Sequence, residues 1–203
     1  MNSQQILSGF INPVHNSQQW YRVILDAMSR PGKVCIPIST EAFPQAPESC
    51  NKTTAAIALT LFDNNTAIWL QSGEKSLPCW LKFHCGCALT DKAEAATFAL
   101  IIDGNNLPDL TLFAIGTSEF PDRSTTLVIQ VESLAEGDTV ELSGAGIATT
   151  TTLRISGLHE SFWKTQAENT ALFPQGFDTI LAAPDGVVCI PRTTTIRRQK
   201  PCM

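Results

Sequence analysis

Charge is scarce in this chain. Only 16% of its 203 residues are Asp, Glu, Lys or Arg, and acids outnumber bases 19 to 14, for a net charge of -5 and a pI near 5.1. General affinity for nucleic acid needs a basic surface that releases counterions, so this balance excludes a non-specific nucleic-acid binder. No stretch approaches the 18 apolar residues of a membrane span, and the opening "MNSQQILSGFINP" has neither the charged start nor the long apolar centre of a secretory signal. A cytoplasmic protein without membrane contact is expected. GxxxxGK[ST], HExxH and GxSxG are also missing, so no common phosphate-loop, zinc-protease or nucleophile-elbow chemistry is announced. The seven cysteines are odd in number and scattered, which suits a reducing compartment where thiols act as small core residues.

What is present is globular. With 43% hydrophobic residues the chain can bury one large core. The clearest element is "WYRVILDAMSRPGKV", residues 20–34. Trp20, Val23, Ile24, Ala27 and Met28 follow the spacing of one buried helical stripe, with Asn16 as the expected N-cap and Gln19 completing a capping box. Arg22, Asp26 and Arg30 stack along another face at i, i+4, i+8, and Pro31-Gly32 ends the helix before the strand-like "KVCIPI". Asp26 can neutralise one of the two arginines, which leaves a charge of +1 on that face. It is either an exposed ion-pair ladder or a contact for a partner or phosphate, and Arg192 joins it if the terminal strand folds back alongside.

Helical and strand patterns then alternate along the whole length. "TTAAIALTLFD" reads as a helix, "AIWLQS" and "CWLKFHC" as strands, "DKAEAATF" and "LPDLTLFAIG" as short helices. "FALIID", "TTLVIQVESL", "DTVELSG" and "TTTLRISGL" favour strands, "HESFWKTQAENTALF" a helix, and "FDTILAAPDGVVCIPR" two strands around a Pro-Asp-Gly turn. No repeat or linker interrupts this. One α/β domain over residues 1–203 is expected, a mixed sheet flanked by helices, with 1–9 and 197–203 as flexible ends.

"CWLKFHCGC" gathers Cys79, His84, Cys85 and Cys87. On a strand the three thiols would share one face and His84 the other, which splits a zinc set, so no metal is expected. His84 remains a candidate proton carrier, beside the alternative of a structural histidine. "LSGAGI" lacks the third glycine and the following helix of a dinucleotide site and reads as a loop.

"NPVHNSQQWYRVILDAMSRPGKV", "LTLFDNNTAIWL", "AIGTSEFPDRSTTLVIQV", "LSGAGI", "FPQGFDTIL" and "IPRTT", in this order from about residue 10 to 196, resemble the PhnH family of bacterial carbon-phosphorus lyase systems. The runs at Gln18 to Gly32, Pro174 to Asp178 and Pro191 to Thr194 are specific as a set. Ala145 stands where the family has proline, Tyr21 where it has phenylalanine, and the cysteine cluster lies outside the pattern. The resemblance implies a part in organophosphonate breakdown, in which a phosphonate replaces adenine on the ribose of ATP to give a ribose 1-phosphonate 5-triphosphate. It also implies a non-catalytic or co-catalytic subunit joined to PhnG-, PhnI- and PhnJ-type partners, and a homodimer when isolated. The implied fold is similar to the large domain of pyridoxal-phosphate-dependent transferases but without that cofactor; no lysine stands in a Schiff-base motif. Arg22, Arg30 and Arg192 are the expected binding residues. The alternative is a stand-alone enzyme or binding protein for a phosphorylated ligand, using His84 with Asp63 or Asp178 and these arginines.

Overall fold

A proline starts the first helix earlier than its central pattern suggests. In the computed structural model, which describes residues 7–71 and 76–198, α1 spans Pro13–Ser29 and its N-cap is Asn12, whose side chain accepts from the His15 N–H. Pro13, with φ already helical and no N–H to satisfy, suits the first turn. Asn16, the expected cap, lies inside the helix, and its amide donates to the Glu41 carbonyl at 2.9 Å. Trp20, Ile24 and Ala27 are buried as the stripe requires, and Val23 and Met28 pack partly buried beside them. The Trp20 indole donates to the Ala42 carbonyl at 2.8 Å and meets the Phe43 ring edge-on. Each large apolar side chain buried here contributes about 1.5–3 kcal/mol.

The strands make two sheets. β1 (Ala67–Leu70), β2 (Ala88–Thr90), β3 (Phe98–Ile101), β4 (Thr126–Gln130), β7 (Asp178–Ala183) and β8 (Gly186–Ile190) form a six-stranded sheet in the order β2-β1-β3-β4-β7-β8. All its pairings are parallel except β7 with β8, the hairpin that closes through Pro184-Asp185. β5 (Ser133–Gly144), β6 (Thr151–Ser156) and β9 (Thr194–Arg198) form an antiparallel sheet with β5 central. Side chains alternate across the large sheet. Ile68, Leu100, Val128 and Ile180 join Trp20 and the helices α1, α2 (Lys52–Leu61) and α3 (Ser76–Cys85) in one core. Ala99, Ile101, Leu127, Ile129 and Leu181 join Val140, Leu142, Leu153 and Ile155 of the small sheet and Phe162 and Trp163 of α4 (Ser161–Thr170) in the other. The chain is thus a single α/β domain with a mixed sheet covered on both faces, as parallel strands demand.

Five further expectations change. "CWLKFHC" is not a strand but most of α3, because Leu77, Trp80 and Leu81 repeat at i, i+3, i+4 and all three are buried. "KVCIPI" is extended, yet it pairs with β8 only through Cys35 and Val187. "DKAEAATF" and "LPDLTLFAIG" shrink to single 3₁₀ turns at Ala93–Ala95 and Leu110–Leu112. Arg197 and Arg198, assigned to a flexible end, pair in β9 with Glu141 and Val140, while residues 199–203 lie outside the described residues.

At Gly104 the loop after β3 lies tight against the backbone that follows β6 and the end of β4. Its N–H donates to the Gln130 carbonyl at 3.2 Å and its carbonyl accepts from His159 at 2.8 Å. A Cβ here would lie 2.3 Å from the Gly157 carbonyl oxygen and 2.8 Å from that of Gln130, both backbone. Gly104→Ala is therefore expected to lower the unfolding free energy by about 2–3 kcal/mol; a wild-type denaturation midpoint would refute this close approach.

Candidate functional site

The polar face of α1 meets the extended segment that follows it. Arg30 forms an ion pair with Asp26, and Lys33 reaches the other carboxylate oxygen at 2.9 Å. The Cys35 thiol donates to that same oxygen at 3.4 Å. The hydrogen bond from Lys33, then those from Cys35 and the charge of Arg30, hold the Asp26 carboxyl below the usual carboxylate range against the opposing effect of burial. Burial, then the contact with Asp26, raises the Cys35 thiol, so Cys35 remains a protonated donor at neutral pH. Arg22 is exposed and makes no hydrogen bond or ion pair among the described residues. Two cations thus hold the one carboxylate while Arg22 adds a third positive charge to the same face, and Lys33, which the helix spacing alone did not include, raises the surplus from one positive charge to two. Arg22, Asp26, Lys33 and Cys35 line a groove of about 670 Å³ between α1 and residues 33–39.

Arg192 is elsewhere and fully engaged. Its Nε and Nη2 donate to Asp178 at 3.2 and 2.6 Å, and Nη2 also donates to the Ser124 hydroxyl at 2.7 Å. Nη1 donates to the carbonyls of Pro121 at 2.8 Å and Pro174 at 3.2 Å. The Arg192 backbone N–H adds a bond to Asp178 at 2.8 Å. All five guanidinium donors therefore have partners inside the fold. Arg192 does not join the α1 face; it staples the start of β7 to the segment before β4 and to the end of β8.

The proposed acid–base residues are not brought together. Asp63 follows α2 and accepts from the Asn65 N–H at 2.9 Å, a turn-forming role. His84, in the last turn of α3, places Nε2 2.8 Å from the Leu7 carbonyl and packs between the Trp80 and Phe83 rings. Asp178 belongs to Arg192. The starts of β1 and β7, which Asp63 and Asp178 flank, are three strand spacings apart, roughly 14 Å.

Placing "CWLKFHC" on a helix also rearranges its thiols. Cys79 is exposed, Cys85 half-buried and Cys87 buried. A hydrogen bond between the last two raises the Cys85 thiol and lowers that of Cys87. No three His, Cys, Asp or Glu residues converge on a metal position among the described residues. At the carboxyl ends of the parallel strands, where open α/β sheets hold ligands, Gln71 and Gln130 are occupied. Gln130 donates to the carbonyls of Ser49 and Ile102 at 3.1 Å and accepts from the Asn51 N–H at 2.7 Å. Gln71 bridges Asn106 and Asp103.

The three runs that are specific as a set therefore sit at two places, Gln18 to Gly32 on α1 and the other two at the Arg192 staple. The sequence pattern of the family described as bacterial phosphonate metabolism protein (PhnH) matches residues 8–197. The chain belongs to the PhnH family. Alpha-D-ribose 1-methylphosphonate 5-triphosphate synthase subunit PhnH of Rhizobium meliloti (strain 1021) is 40% identical over 198 residues, covering 96% of this chain and 98% of that protein. HtxG of Stutzerimonas stutzeri, provisionally described as a C-P lyase subunit protein, is 40% identical over 103 residues, 51% of this chain and 52% of its own. Within this PhnH chain the run from Pro174 to Asp178, the segment around Ser124 and the run from Pro191 to Thr194 meet at one guanidinium. Sequence spacing could not show this, since Arg192 lies 68 residues from Ser124.

Arg192→Ala leaves the half-buried Asp178 without its cation and is expected to cost about 3 kcal/mol of stability, with Arg192→Lys recovering only part of it. An Arg192→Ala melt within a degree of wild type would show that the staple is not structural. Burial pushes the Cys50 thiol up to about 12 and raises Cys189 further still, whereas Cys79 is exposed. Peptide mapping after brief alkylation at pH 8 is expected to find Cys79 modified well before Cys50 and Cys189; equal labelling of the native protein would contradict this burial.

Proposed function

We propose that this chain is a subunit of a ribose 1-phosphonate 5-triphosphate synthase in a carbon-phosphorus lyase system. In this role it supports the exchange of adenine for a phosphonate on the ribose of ATP and contributes no complete catalytic set of its own. The dispersal of His84, Asp63 and Asp178 carries the reading. Each is bound within the local fold, whereas stand-alone acid–base chemistry needs the groups within hydrogen-bond reach of one reacting centre. Family membership and the relative matched along nearly its whole length support the phosphonate assignment.

The partners we propose are PhnG-, PhnI- and PhnJ-type subunits, in the cytoplasm, with a homodimer for the isolated chain. Trp20, Trp80 and Trp163 lie in the core, so they do not anchor that dimer, which would draw on exposed residues such as Phe83 and Phe173. Likeness to the large domain of pyridoxal-phosphate-dependent transferases belongs to the same proposal. The mainly parallel sheet suits it, and the lysines at 33, 52, 82, 92 and 164 are all exposed rather than set in a cofactor pocket.

Within this reading Arg22 and Arg30 serve assembly or an anionic ligand. Arg22→Ala and Arg30→Ala are expected to change stability by no more than about 0.5–1 kcal/mol, as for exposed ion pairs. Both should lower the recovery of co-expressed complex or its phosphonate-dependent adenine release. Wild-type assembly and release in both variants would make the face a solvated ladder.

A further inference from the structure

Residues 34–38 form an edge that the fold leaves open. Cys35 exchanges both backbone hydrogen bonds with Val187 of β8, at 2.9 Å each way. In an antiparallel pair the residues on either side then turn their N–H and C=O groups away from that strand. Val34 and Ile36 accordingly have no backbone partner among the described residues. Pro37 shares the parity of Cys35, so its missing N–H ends pairing on the β8 side and leaves the outward side intact.

Side chains alternate in the same way. Cys35 and Pro37 are buried, whereas Val34 is 41% exposed, Ile36 52%, and Ile38 fully. Soluble proteins normally blunt an apolar edge of this kind with charge, a bulge or a covering loop. Beside it runs the groove against α1, lined by Arg22 and Lys33 and by Asp26, a carboxylate that Arg30 also pairs with from the end of the helix. An apolar strand edge with a cationic rim fits an extended peptide that has aliphatic residues at alternate positions and a carboxylate for Arg22.

We propose that this edge accepts, by strand addition, an extended acidic and aliphatic segment of one of the partner subunits; the inference rests on the assembly reading above. A second copy of this chain is a poorer occupant. A two-fold pairing of the edge with itself would set Arg22, Arg30 and Lys33 against the same cations of the mate in an isologous contact.

The test co-expresses the tagged chain with the PhnG-, PhnI- and PhnJ-type subunits and compares wild type with Ile36→Pro, Ile36→Lys and Arg22→Glu. Thermal melts and amide exchange of residues 33–39 are measured on the free and assembled chain. Ile36→Pro removes an outward N–H that has no partner among the described residues. Each variant is expected to keep its melt and to recover about tenfold less complex or worse, the effect of losing a central contact. In the wild-type complex residues 33–39 should exchange slowly. Full assembly of the variants, with residues 33–39 exchanging as fast as in the free chain, overturns the docking edge and leaves the assembly reading standing. A wild-type chain that never assembles overturns both. Slow exchange in the isolated chain that strengthens with concentration assigns the edge to a second copy and overturns the partner. If Ile36→Pro folds poorly, exchange in the wild-type complex decides.

Discussion

The guanidinium of Arg192 is the constraint on which the far side of the molecule depends. One planar group satisfies two carbonyls, a hydroxyl and a bidentate carboxylate, and thereby fixes the relative positions of Pro121, Ser124, Pro174 and Asp178. Only a fork of five donors can do this; an ammonium would leave some of these acceptors without a partner. The consequence reaches the loops. Asn169 of α4 accepts from the Phe177 N–H at 2.8 Å and donates to its carbonyl at 2.9 Å, so the run between Pro174 and Asp178 is held from both sides. Side chains that could have faced a ligand are spent in holding the chain.

The same economy governs the other end of the sheet. Gln71, Asn51 and Gln130 point toward the place where many α/β proteins bind a cofactor, yet each closes backbone groups of neighbouring loops. With both faces of the large sheet covered and both ends tied, chemical freedom remains at the lateral margin, where α1 and residues 33–39 flank β8. Charge and aliphatic surface thus meet on one margin, which is where the proposed subunit role would place its contacts with other chains.

Local pattern was legible where one periodicity prevailed. The stripe of α1, the Pro-Asp-Gly hairpin of β7 and β8 and the strands of the core were plain in the sequence, because burial on one or both faces writes itself as spacing. In "CWLKFHC" two periodicities competed. Reading the thiols at alternate positions hid Leu77, Trp80 and Leu81, whose helical spacing decides the element because they carry the buried area. Asn16 was the expected cap, but Pro13 starts the helix about one turn earlier, so Asn12 caps it. The candidate site was half legible. Arg22, Asp26 and Arg30 were placed correctly on one helix face, but Lys33 and Cys35 join it only after the turn at Pro31-Gly32, and the partners of Arg192 lie as far as 71 residues away. Contacts of that range leave no periodic trace.

The charge on the α1 face is not a product of pH near neutrality. Asp26 titrates below the ordinary carboxylate range, so the stabilisation from its pairing is fully present above its unfolded pKa and is lost only as pH falls through the lowered folded value. Cys35, raised by burial and by Asp26, brings no second negative charge at neutral pH. Arg30 and Lys33 are thus held about one ionised carboxylate, and Arg22 stands outside that cluster, with no hydrogen-bond or ion-pair partner among the described residues. In a chain whose net charge is -5, such a local positive field would, under the proposed docking, chiefly orient encounter and discriminate between partners, while burial of Val34, Ile36 and Ile38 would supply most of the affinity. In the proposed docking, orientation and affinity would therefore be carried by adjacent but chemically different parts of one margin, the charged helix face and the aliphatic edge.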